Sequence, residues 1–287
     1  MINLWRESMI HERIFAAFIL FTLIRLWLAA GFSSPHAIFY AASLLLVISG
    51  AAFTRKSGSP AAWRARLLIY PVLMNALFVN MRWVSPLING GKKDAILWKL
   101  DEMILGGNLS VMLQGAVTPA LTELMSFCYM FFMVYLFLSM LMWLLQDVKT
   151  ARIFYAGLFG LYGIGYFGYT LVPAIGPYIA YADQFSTPLK GWLMTDFLTY
   201  AYPSGTNYTD IFPSLHCAVS VYLLFFDMRW NRRRFMFCAL PCVGIWFSTI
   251  YLRYHYFVDV AAGFALGAAG LWIAYVAAAR EELREIR

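Results

Sequence analysis

Long runs of apolar residues dominate this chain, and shorter polar or charged stretches separate one run from the next. A helix needs about 20 mostly apolar residues to cross a bilayer. Eight runs approach that length, and they cover residues 13–31, 37–53, 66–85, 119–145, 152–172, 213–229, 235–253 and 257–278. The pattern therefore predicts an all-α fold, a polytopic membrane helix bundle with about eight transmembrane helices.

Two polar intervals are too long to be simple turns between neighbouring spans. In 86–118, apolar and charged residues recur on opposite faces of a helix, which predicts an amphipathic helix on the outer surface. Its apolar positions are Ile96, Leu97, Leu100 and Ile104, and its charged positions are Lys99, Asp101 and Glu102. The interval 173–212 is rich in Tyr, Pro, Gly and Thr, and we expect it to cap an outward-facing site.

The composition excludes an ordinary soluble domain, because 62% of the residues are hydrophobic and only 13% are charged. The net charge of +7 does not indicate a nucleic-acid partner, since the basic residues cluster between the apolar runs. Most of them fall on the side of the membrane that holds the N-terminus, and basic loops mark the cytoplasmic side. We therefore expect a multi-pass integral membrane protein with both termini in the cytoplasm.

The cysteines give no sign of a metal site. They lie in or beside apolar runs and are typical of small buried hydrophobic residues. Their positions are Cys128, Cys217, Cys238 and Cys242. This spacing does not resemble a zinc site, and no convincing cluster of carboxylates suggests another metal. We therefore expect neither a metal nor another cofactor.

Two of the four histidines begin predicted spans on the same, non-cytoplasmic side of the membrane. His216 stands at the start of 213–229, and His255 stands just before 257–278. Asp259 follows His255 by four residues, so the two side chains share one face of a helix and can meet. An aspartate bonded to one imidazole nitrogen fixes the tautomer and makes the other nitrogen more basic. The sequence therefore predicts His216, His255 and Asp259 as catalytic residues.

The surroundings of these residues favour a phosphoryl substrate. His216 lies in the first turn of a predicted helix, where free N–H groups and the positive dipole end attract an anion. Ser214 can donate its hydroxyl there, and Arg253 adds a positive charge two residues before His255. We predict that Ser214 and Arg253 bind the substrate phosphate.

These motifs resemble those of the type 2 phosphatidic acid phosphatase superfamily. The segment Pro213-Ser-Leu-His216 is similar to the Pro-Ser-Gly-His motif of that family. Ser248, His255 and Asp259 match part of its Ser-Arg-x5-His-x3-Asp motif, with Thr249 where the family has the arginine. The first motif of the family, Lys-x6-Arg-Pro, is absent. Its phosphate-binding role stays open among four basic residues, Arg82, Lys92, Lys93 and Lys99.

Several details are more similar to the inositol phosphorylceramide synthase branch of this superfamily. They are the leucine at position 215, the segment Tyr251-Leu-Arg-Tyr-His-Tyr-Phe-Val-Asp259, the pairs Leu100-Asp101 and Leu105-Gly106, and the segment Pro173-Ala-Ile-Gly-Pro177. The resemblance implies a six-span phosphatase-like core in residues 66–287, preceded by a two-span extension in residues 1–65. It also implies a lipid phosphotransferase that moves a phospho-headgroup between lipids.

The family mechanism, carried over to the matching positions, assigns a role to each candidate residue. His255 attacks phosphorus and forms a phosphohistidine, while Asp259 orients its ring. His216 protonates the departing alkoxide and then deprotonates the incoming acceptor. Ser214 and Arg253 stabilise the charge that builds on the phosphoryl oxygens. The partners are then a phospholipid or lipid phosphate substrate, a lipid alcohol acceptor and the membrane itself.

Other functions stay open at the level of the sequence. With water as the acceptor, the same residues give a lipid phosphate phosphatase that hydrolyses phosphatidic acid-type or polyprenyl phosphates. A transporter could instead use the two histidines as a proton relay. A bis-histidine haem protein is a third class, which would be coloured when purified. The oligomeric state is not indicated.

Overall fold

The computed structural model describes residues 8–57 and 59–285, and within them every regular element is helical. The long helices are α1 (Ile10–Ala30), α2 (Pro35–Ser57), α3 (Pro60–Ile88), α6 (Pro119–Leu145), α7 (Val148–Leu171), α10 (Leu215–Trp230), α11 (Arg232–Tyr251) and α12 (Phe257–Glu285). The shorter ones are α4 (Asp94–Leu105), α5 (Leu109–Met112), α8 (Pro177–Ala180) and α9 (Leu193–Gly205). The predicted all-α class is confirmed.

Six helices in the described residues are long and apolar enough to cross a membrane: α1, α2, α3, α6, α11 and α12. The chain is therefore a polytopic integral membrane protein. The other two predicted spans correspond to α7 and α10, which form helices but fall outside those six. With 16 residues, α10 is about 24 Å long, less than the roughly 30 Å of a bilayer core. The orientation of the termini stays a prediction.

The chain forms two compact units. Unit 1 comprises Met1–Gly90, Ser139–Thr170 and Ala269–Arg287, and unit 2 comprises Gly91–Leu138 and Leu171–Ala268. The boundary between the units falls within α6, α7 and α12. The predicted division into an extension, 1–65, and a core, 66–287, concerns family architecture and stays a prediction.

Unit 1 is organised around α7, whose residues are buried on nearly all sides between Ile153 and Gly163. Glycines permit this close packing. A β-carbon on Gly160 would lie 2.8 Å from the side chain of Ile273, and one on Gly163 would lie 2.7 Å from that of Ile14. Both distances are shorter than real contacts allow, so the glycines let α1 and α12 approach α7 directly.

A buried ion pair joins α1 to α3 within unit 1. The guanidinium of Arg66 donates through two nitrogens to the carboxylate of Glu12, at 2.6 and 2.5 Å, and through the third to the Thr54 hydroxyl. Only 2% of either charged side chain is exposed. The backbone N–H of Met9 also donates to Glu12 at 2.7 Å, so the bonds around this carboxylate stabilise the beginning of α1.

Unit 2 contains the predicted amphipathic helix, α4, but one prediction about its faces is wrong. Asp101 was expected on the solvated face, whereas its side chain is completely buried. Ile96 and Ile104 are each 57% exposed. Asp101 is buried because it accepts hydrogen bonds from N–H groups at the start of α12, and these bonds offset the cost of burying its carboxylate.

Candidate active site

His255 and Asp259 form the centre of the candidate site in unit 2. His255 lies in the segment that joins α11 to α12, and Asp259 lies in the first turn of α12. The imidazole Nδ1 is 2.9 Å from the Asp259 carboxylate, and the two side chains are 2% and 0% exposed. Because an ionised carboxylate only accepts hydrogen bonds, Nδ1 carries a proton, and in the neutral ring Nε2 then has the lone pair.

Two further hydrogen bonds fix Asp259 in place. Its second carboxylate oxygen accepts from the N–H of Tyr256, the residue before α12 begins, at 2.7 Å. Its backbone oxygen accepts from the N–H of Ser214 at 3.1 Å. The turn that carries Asp259 is therefore bonded directly to the segment that precedes His216.

His216 faces the same centre from the first turn of α10. The centroid of its ring lies 5.6 Å from that of the His255 ring, at an angle of 66°. Tyr129 stacks on the His216 ring and Phe132 packs against it, each with a centroid distance of 4.5 Å. Among the described residues, neither nitrogen of this ring has a hydrogen-bond partner, so both are available to a substrate.

Local packing explains why the two histidines meet. The carbonyl oxygen of Thr249 accepts from the N–H groups of both Tyr254 and His255 at 3.1 Å, which holds the end of α11 against the His255 segment. A β-carbon on Gly263 would lie 2.5 Å from the carbonyl oxygen of Ser214. Only glycine therefore allows α12 to pack this closely on the start of α10.

The two predicted phosphate-binding residues differ in their surroundings. Ser214 is the N-cap of α10, and its Oγ accepts from the N–H of Cys217 at 3.4 Å. Its hydroxyl also interacts with the Cys217 thiol, and it would have to turn from that thiol to donate to a phosphate. Arg253 instead donates through Nη2 to the carbonyl oxygen of Thr187 at 2.6 Å and packs on the ring of Phe185. The structure records no contact between Arg253 and either histidine, so its role stays a prediction.

Arg253 is nevertheless an unusual residue. It has a positive φ of 66°, a backbone conformation that non-glycine residues seldom adopt. Its side chain is buried, and burial lowers the pKa of the guanidinium. Its Nε has no hydrogen-bond partner among the described residues. Such strain is typical of functional sites.

Asp101 is a residue of the site that the sequence did not reveal. From α4, its two carboxylate oxygens accept from the N–H groups of Phe257 and Val258 at 2.8 and 2.9 Å. These are the first two residues of α12, so Asp101 caps the turn that holds Asp259. Burial raises the pKa of Asp101, while the two N–H bonds oppose that rise.

Asp94, the first residue of α4, bonds to Tyr256 in the segment just before α12. Its Oδ1 accepts from the hydroxyl of Tyr256 at 2.8 Å and from the N–H of Gly176 at 2.9 Å. The N–H of Ile175 donates to the same carboxylate. Asp94 and Asp101 are seven residues apart and share one helix face. That spacing is the signal that could have identified both as inward-facing.

Two charged residues extend the site beyond the histidines. Asp210 accepts from the Thr206 hydroxyl at 2.7 Å, and burial raises the pKa of its carboxyl, an effect that the charge of His255 opposes. Lys92 interacts electrostatically with Asp210 and donates a hydrogen bond to the carbonyl oxygen of Tyr208. Lys92 is thus linked to the histidine site through Asp210.

Metal chemistry has no obvious support in this arrangement. In residues 8–57 and 59–285, no three His, Cys, Asp or Glu side chains are close enough together to bind a metal ion. The expectation that the protein uses no metal or cofactor stays a prediction.

Comparisons with known proteins point to one family. The sequence pattern of the PAP2 superfamily matches residues 96–273, more than half of the chain, and this stretch includes both histidines and Asp259. A 70-residue stretch is 40% identical to the inositol phosphorylceramide synthase catalytic subunit AUR1 of Saccharomyces cerevisiae. It covers 24% of this chain and only 17% of the yeast protein. No solved structure matches. The chain belongs to the PAP2 superfamily.

Proposed function

We propose that this protein is a membrane lipid phosphotransferase that works through a phosphohistidine on His255. One observation carries the proposal: Nδ1 of His255 is bonded to Asp259 at 2.9 Å while the His216 ring lies 5.6 Å away, centroid to centroid. A nucleophile, its orienting carboxylate and a separate acid–base group are the parts that covalent phosphoryl transfer requires.

In the first step, Nε2 of His255 attacks the phosphorus of a phospholipid or lipid phosphate. An N–P bond forms, and the P–O bond to the lipid alcohol breaks. His216 gives a proton to the departing alkoxide, so that the alcohol leaves neutral. Asp259 accepts the Nδ1–H of His255 throughout and stabilises the positive charge that develops on the ring.

In the second step, His216 takes the proton of an incoming alcohol, whose oxygen then attacks phosphorus. A new P–O bond forms, the N–P bond breaks, and His255 returns to its starting state. The net reaction moves a phospho-headgroup from one lipid to another. With water as the acceptor, the same steps give a phosphatase.

The charge on the phosphoryl oxygens needs donors close to phosphorus. The N–H groups of Leu215 and His216 have no recorded acceptor among the described residues, because they begin α10. The Ser214 hydroxyl can donate beside them. We propose Lys92 for the role of the absent first motif, because it interacts electrostatically with Asp210, which in turn interacts with His255.

Two features favour a lipid alcohol over water as the acceptor. The yeast relative is named as an inositol phosphorylceramide synthase subunit, which supports a transferase. Tyr129 and Phe132 pack against the His216 ring, and Tyr254 packs against Tyr129. Aromatic surroundings of this kind favour an apolar acceptor. We place this site on the non-cytoplasmic face, since most basic loops lie on the other side.

The test is turnover of a panel of lipids labelled in the phosphate, with and without a lipid alcohol such as ceramide or diacylglycerol. A new labelled phosphodiester that depends on the alcohol supports the transferase. Free labelled phosphate, or a water-soluble labelled headgroup phosphate, in its presence would identify a hydrolase. Release of neither product from any lipid would overturn the enzyme proposal.

Matched histidine variants sharpen this test. We expect His255→Gln and His216→Gln each to lower turnover by roughly three orders of magnitude or more, as the loss of a nucleophile or its acid–base partner does. His36→Gln is the control, because His36 bonds only to Asn80 in unit 1 among the described residues. Equal activity of the His255 variant and the control would remove the mechanism.

A further inference from the structure

An asparagine lies exposed in the middle of a membrane-spanning helix of unit 1. The helix is α3, whose 29 residues make it about 43 Å long, and Asn75 stands close to its midpoint. Because the hydrocarbon core of a bilayer is about 30 Å thick, this position lies deep within it. The side chain of Asn75 is nevertheless exposed, whereas polar groups at such depth normally face the interior of a bundle.

The amide of Asn75 has a hydrogen-bonding capacity that its own chain does not use. One N–H of Nδ2 donates to the carbonyl oxygen of Pro71 at 2.9 Å. This side chain makes no other hydrogen bond to the residues that the structure describes, so its second N–H and its Oδ1 remain available. Lipid tails offer neither a donor nor an acceptor, and unsatisfied polar groups are costly among them. A partner that satisfies this amide must therefore supply one donor and one acceptor at the same depth.

The surface around Asn75 has the residue spacing of a helix-packing seam. Leu68, Val72 and Val79 are exposed on the same side of α3, so that with Asn75 the intervals are four, three and four residues. Parallel helices pack through side chains with this spacing. An open groove of about 650 Å³ lies along the seam, lined by Pro71, Val72, Asn75, Ala76, Val79 and Asn80.

We propose that this face of α3 binds a second copy of the chain, with Asn75 bonded to Asn75 across a two-fold axis normal to the membrane. Two copies inserted in the same orientation have parallel α3 helices, so identical residues lie at the same depth. The partner's amide then offers the one donor and the one acceptor that are needed. Each Oδ1 accepts from the second N–H of the other copy, and the symmetry makes the two bonds equivalent. A different protein would need a suitable polar residue at this one depth, whereas a second copy always has it.

The side chains beside Asn75 suit such a pair. Ala76 has only a methyl group, which lets two helix backbones approach closely. Val72 and Val79, about one turn away on either side, pack against their counterparts and keep lipid away from the amide bonds. None of these residues belongs to the candidate active site, so the dimer does not rest on the proposed function.

The test measures self-association of the full-length protein in vesicles of phosphatidylcholine. Copies that carry a donor or an acceptor fluorophore at the N-terminus are mixed, and energy transfer is followed as lipid dilutes the protein. We expect transfer that exceeds the value for randomly placed monomers and that fits a dimer. Transfer at the random value would show that lipid or another protein covers this face, and would overturn the proposal.

Variants of Asn75 locate the contact. Asn75→Leu keeps the size of the side chain and should raise the dissociation constant of the dimer about tenfold or more, the scale of two interhelical hydrogen bonds. Asn75→Gln keeps the amide and should retain part of the affinity. The control is Ser49→Ala on α2, because the exposed Ser49 hydroxyl donates only to carbonyl oxygens of its own helix. Equal dissociation constants for Asn75→Leu and Ser49→Ala would contradict the proposal.

Cross-linking in the native membrane gives a second measurement that does not depend on reconstitution. Val72→Cys is introduced together with Cys238→Ser, since the other three cysteines are buried, and the membranes are oxidised before solubilisation. We expect a disulfide-linked dimer, because the seam brings position 72 of one copy beside position 72 of the other. Leu45→Cys on α2 is the matched control, since Leu45 and Val72 are 66% and 65% exposed. Cross-linking at both positions to the same extent, or at neither, would overturn the site.

Discussion

Two buried polar clusters, one in each unit, use similar groups for different ends. In unit 1, Glu12, Arg66 and Thr54 form a closed set, in which every nitrogen of the guanidinium has an acceptor. In unit 2, both carboxylate oxygens of Asp259 also accept hydrogen bonds, yet Nε2 of its partner His255 has no hydrogen-bond partner within the described residues. His216 lies beside it, and in the part of the chain that the structure describes neither of its ring nitrogens is hydrogen-bonded.

The difference teaches how to separate a structural cluster from a chemical one. Burial and opposite charges occur in both, so neither property identifies the site. What distinguishes unit 2 is that the ring nitrogens of His216 and Nε2 of His255 are held in position but have no hydrogen-bond partner among the described residues. A closed cluster can only stabilise the fold, whereas an open cluster can bind and transform a substrate.

Among residues that position other groups, the largest expected effect concerns Asp259. Asp259→Asn keeps the size of the side chain but presents a donor to Nδ1, which favours the wrong tautomer of His255. We expect turnover to fall on the order of 10³-fold with little change in KM, as for a triad aspartate. The measurement is steady-state kinetics on the labelled lipid. A higher KM with unchanged turnover would contradict the orienting role.

The closed cluster should respond in stability and not in chemistry. Arg66→Met leaves Glu12 buried without its cation, and we expect a loss of about 3–5 kcal/mol in the free energy of unfolding. Turnover per folded molecule should stay within about twofold of wild type, a change of less than 0.5 kcal/mol in the activation barrier. Denaturant titration in detergent measures the first quantity.

The double variant Glu12→Gln with Arg66→Met is the matched control for that loss. Because it removes both charges, it should be more stable than Arg66→Met alone. If the double variant were the less stable of the two, the interpretation of an uncompensated buried charge would be wrong.

An intermediate effect is expected at Asp101, which caps α12 without touching the histidines. Asp101→Ala removes two acceptors from the turn that carries Asp259, and we expect a loss of about 1–2 kcal/mol in stability. Turnover should fall about tenfold, since small displacements of catalytic groups are costly. Asp101→Asn keeps one good acceptor and should recover part of both losses.

The control for Asp101 lies on the same helix. Glu102 accepts from the indole N–H of Trp98 at 2.8 Å on the exposed side of α4. Glu102→Ala should change stability and turnover little. If it lowered turnover as much as Asp101→Ala does, the capping contact with α12 would not explain the effect.

Much of the helical architecture could be predicted from the sequence. All eight predicted spans correspond to helices, whose ends differ from the predicted ones by up to seven residues, because long apolar runs fix such helices locally. The meeting of His216, His255 and Asp259 could also be anticipated. Both histidine segments stand at the starts of helices, and the predicted orientation puts both helix starts on the same side of the membrane. Local patterns are sufficient for these features.

Other features depend on contacts that no local pattern encodes. Asp101 reaches Phe257 across 156 residues, so periodicity alone put it on the solvated face of α4. The side chain of Arg253 turns to Thr187, 66 residues away, although its position in sequence suggested the phosphate. In each case the partner is set by tertiary packing.

The smallest effect is expected at Asp147, an exposed carboxylate that serves as a reference for the buried ones. Burial acts to raise the pKa of Asp147, but hydrogen bonds from Thr150 outweigh this effect and lower the pKa. The Oδ1 of Asp147 accepts from the Thr150 N–H at 2.9 Å. Asp147→Ala should cost about 1 kcal/mol at neutral pH through loss of the cap on α7.

The sign of the pH dependence follows from the lowered pKa. The ionised cap stabilises the fold at pH values above the unfolded pKa, near 4, and this contribution disappears as the pH falls through the folded value. The gap between wild type and Asp147→Ala should therefore narrow in acid. A gap that stays constant down to pH 3 would show that the charge has no part in it.

The most direct test of the open cluster is to trap the covalent intermediate. The purified protein is mixed with a substrate lipid labelled in the phosphate, quenched within one turnover, and assayed for label on the protein. The proposal predicts an acid-labile, alkali-stable label in wild type and in His36→Gln, and none in His255→Gln. Label of equal amount in the His255 variant, or turnover by wild type without any labelled protein, would contradict it.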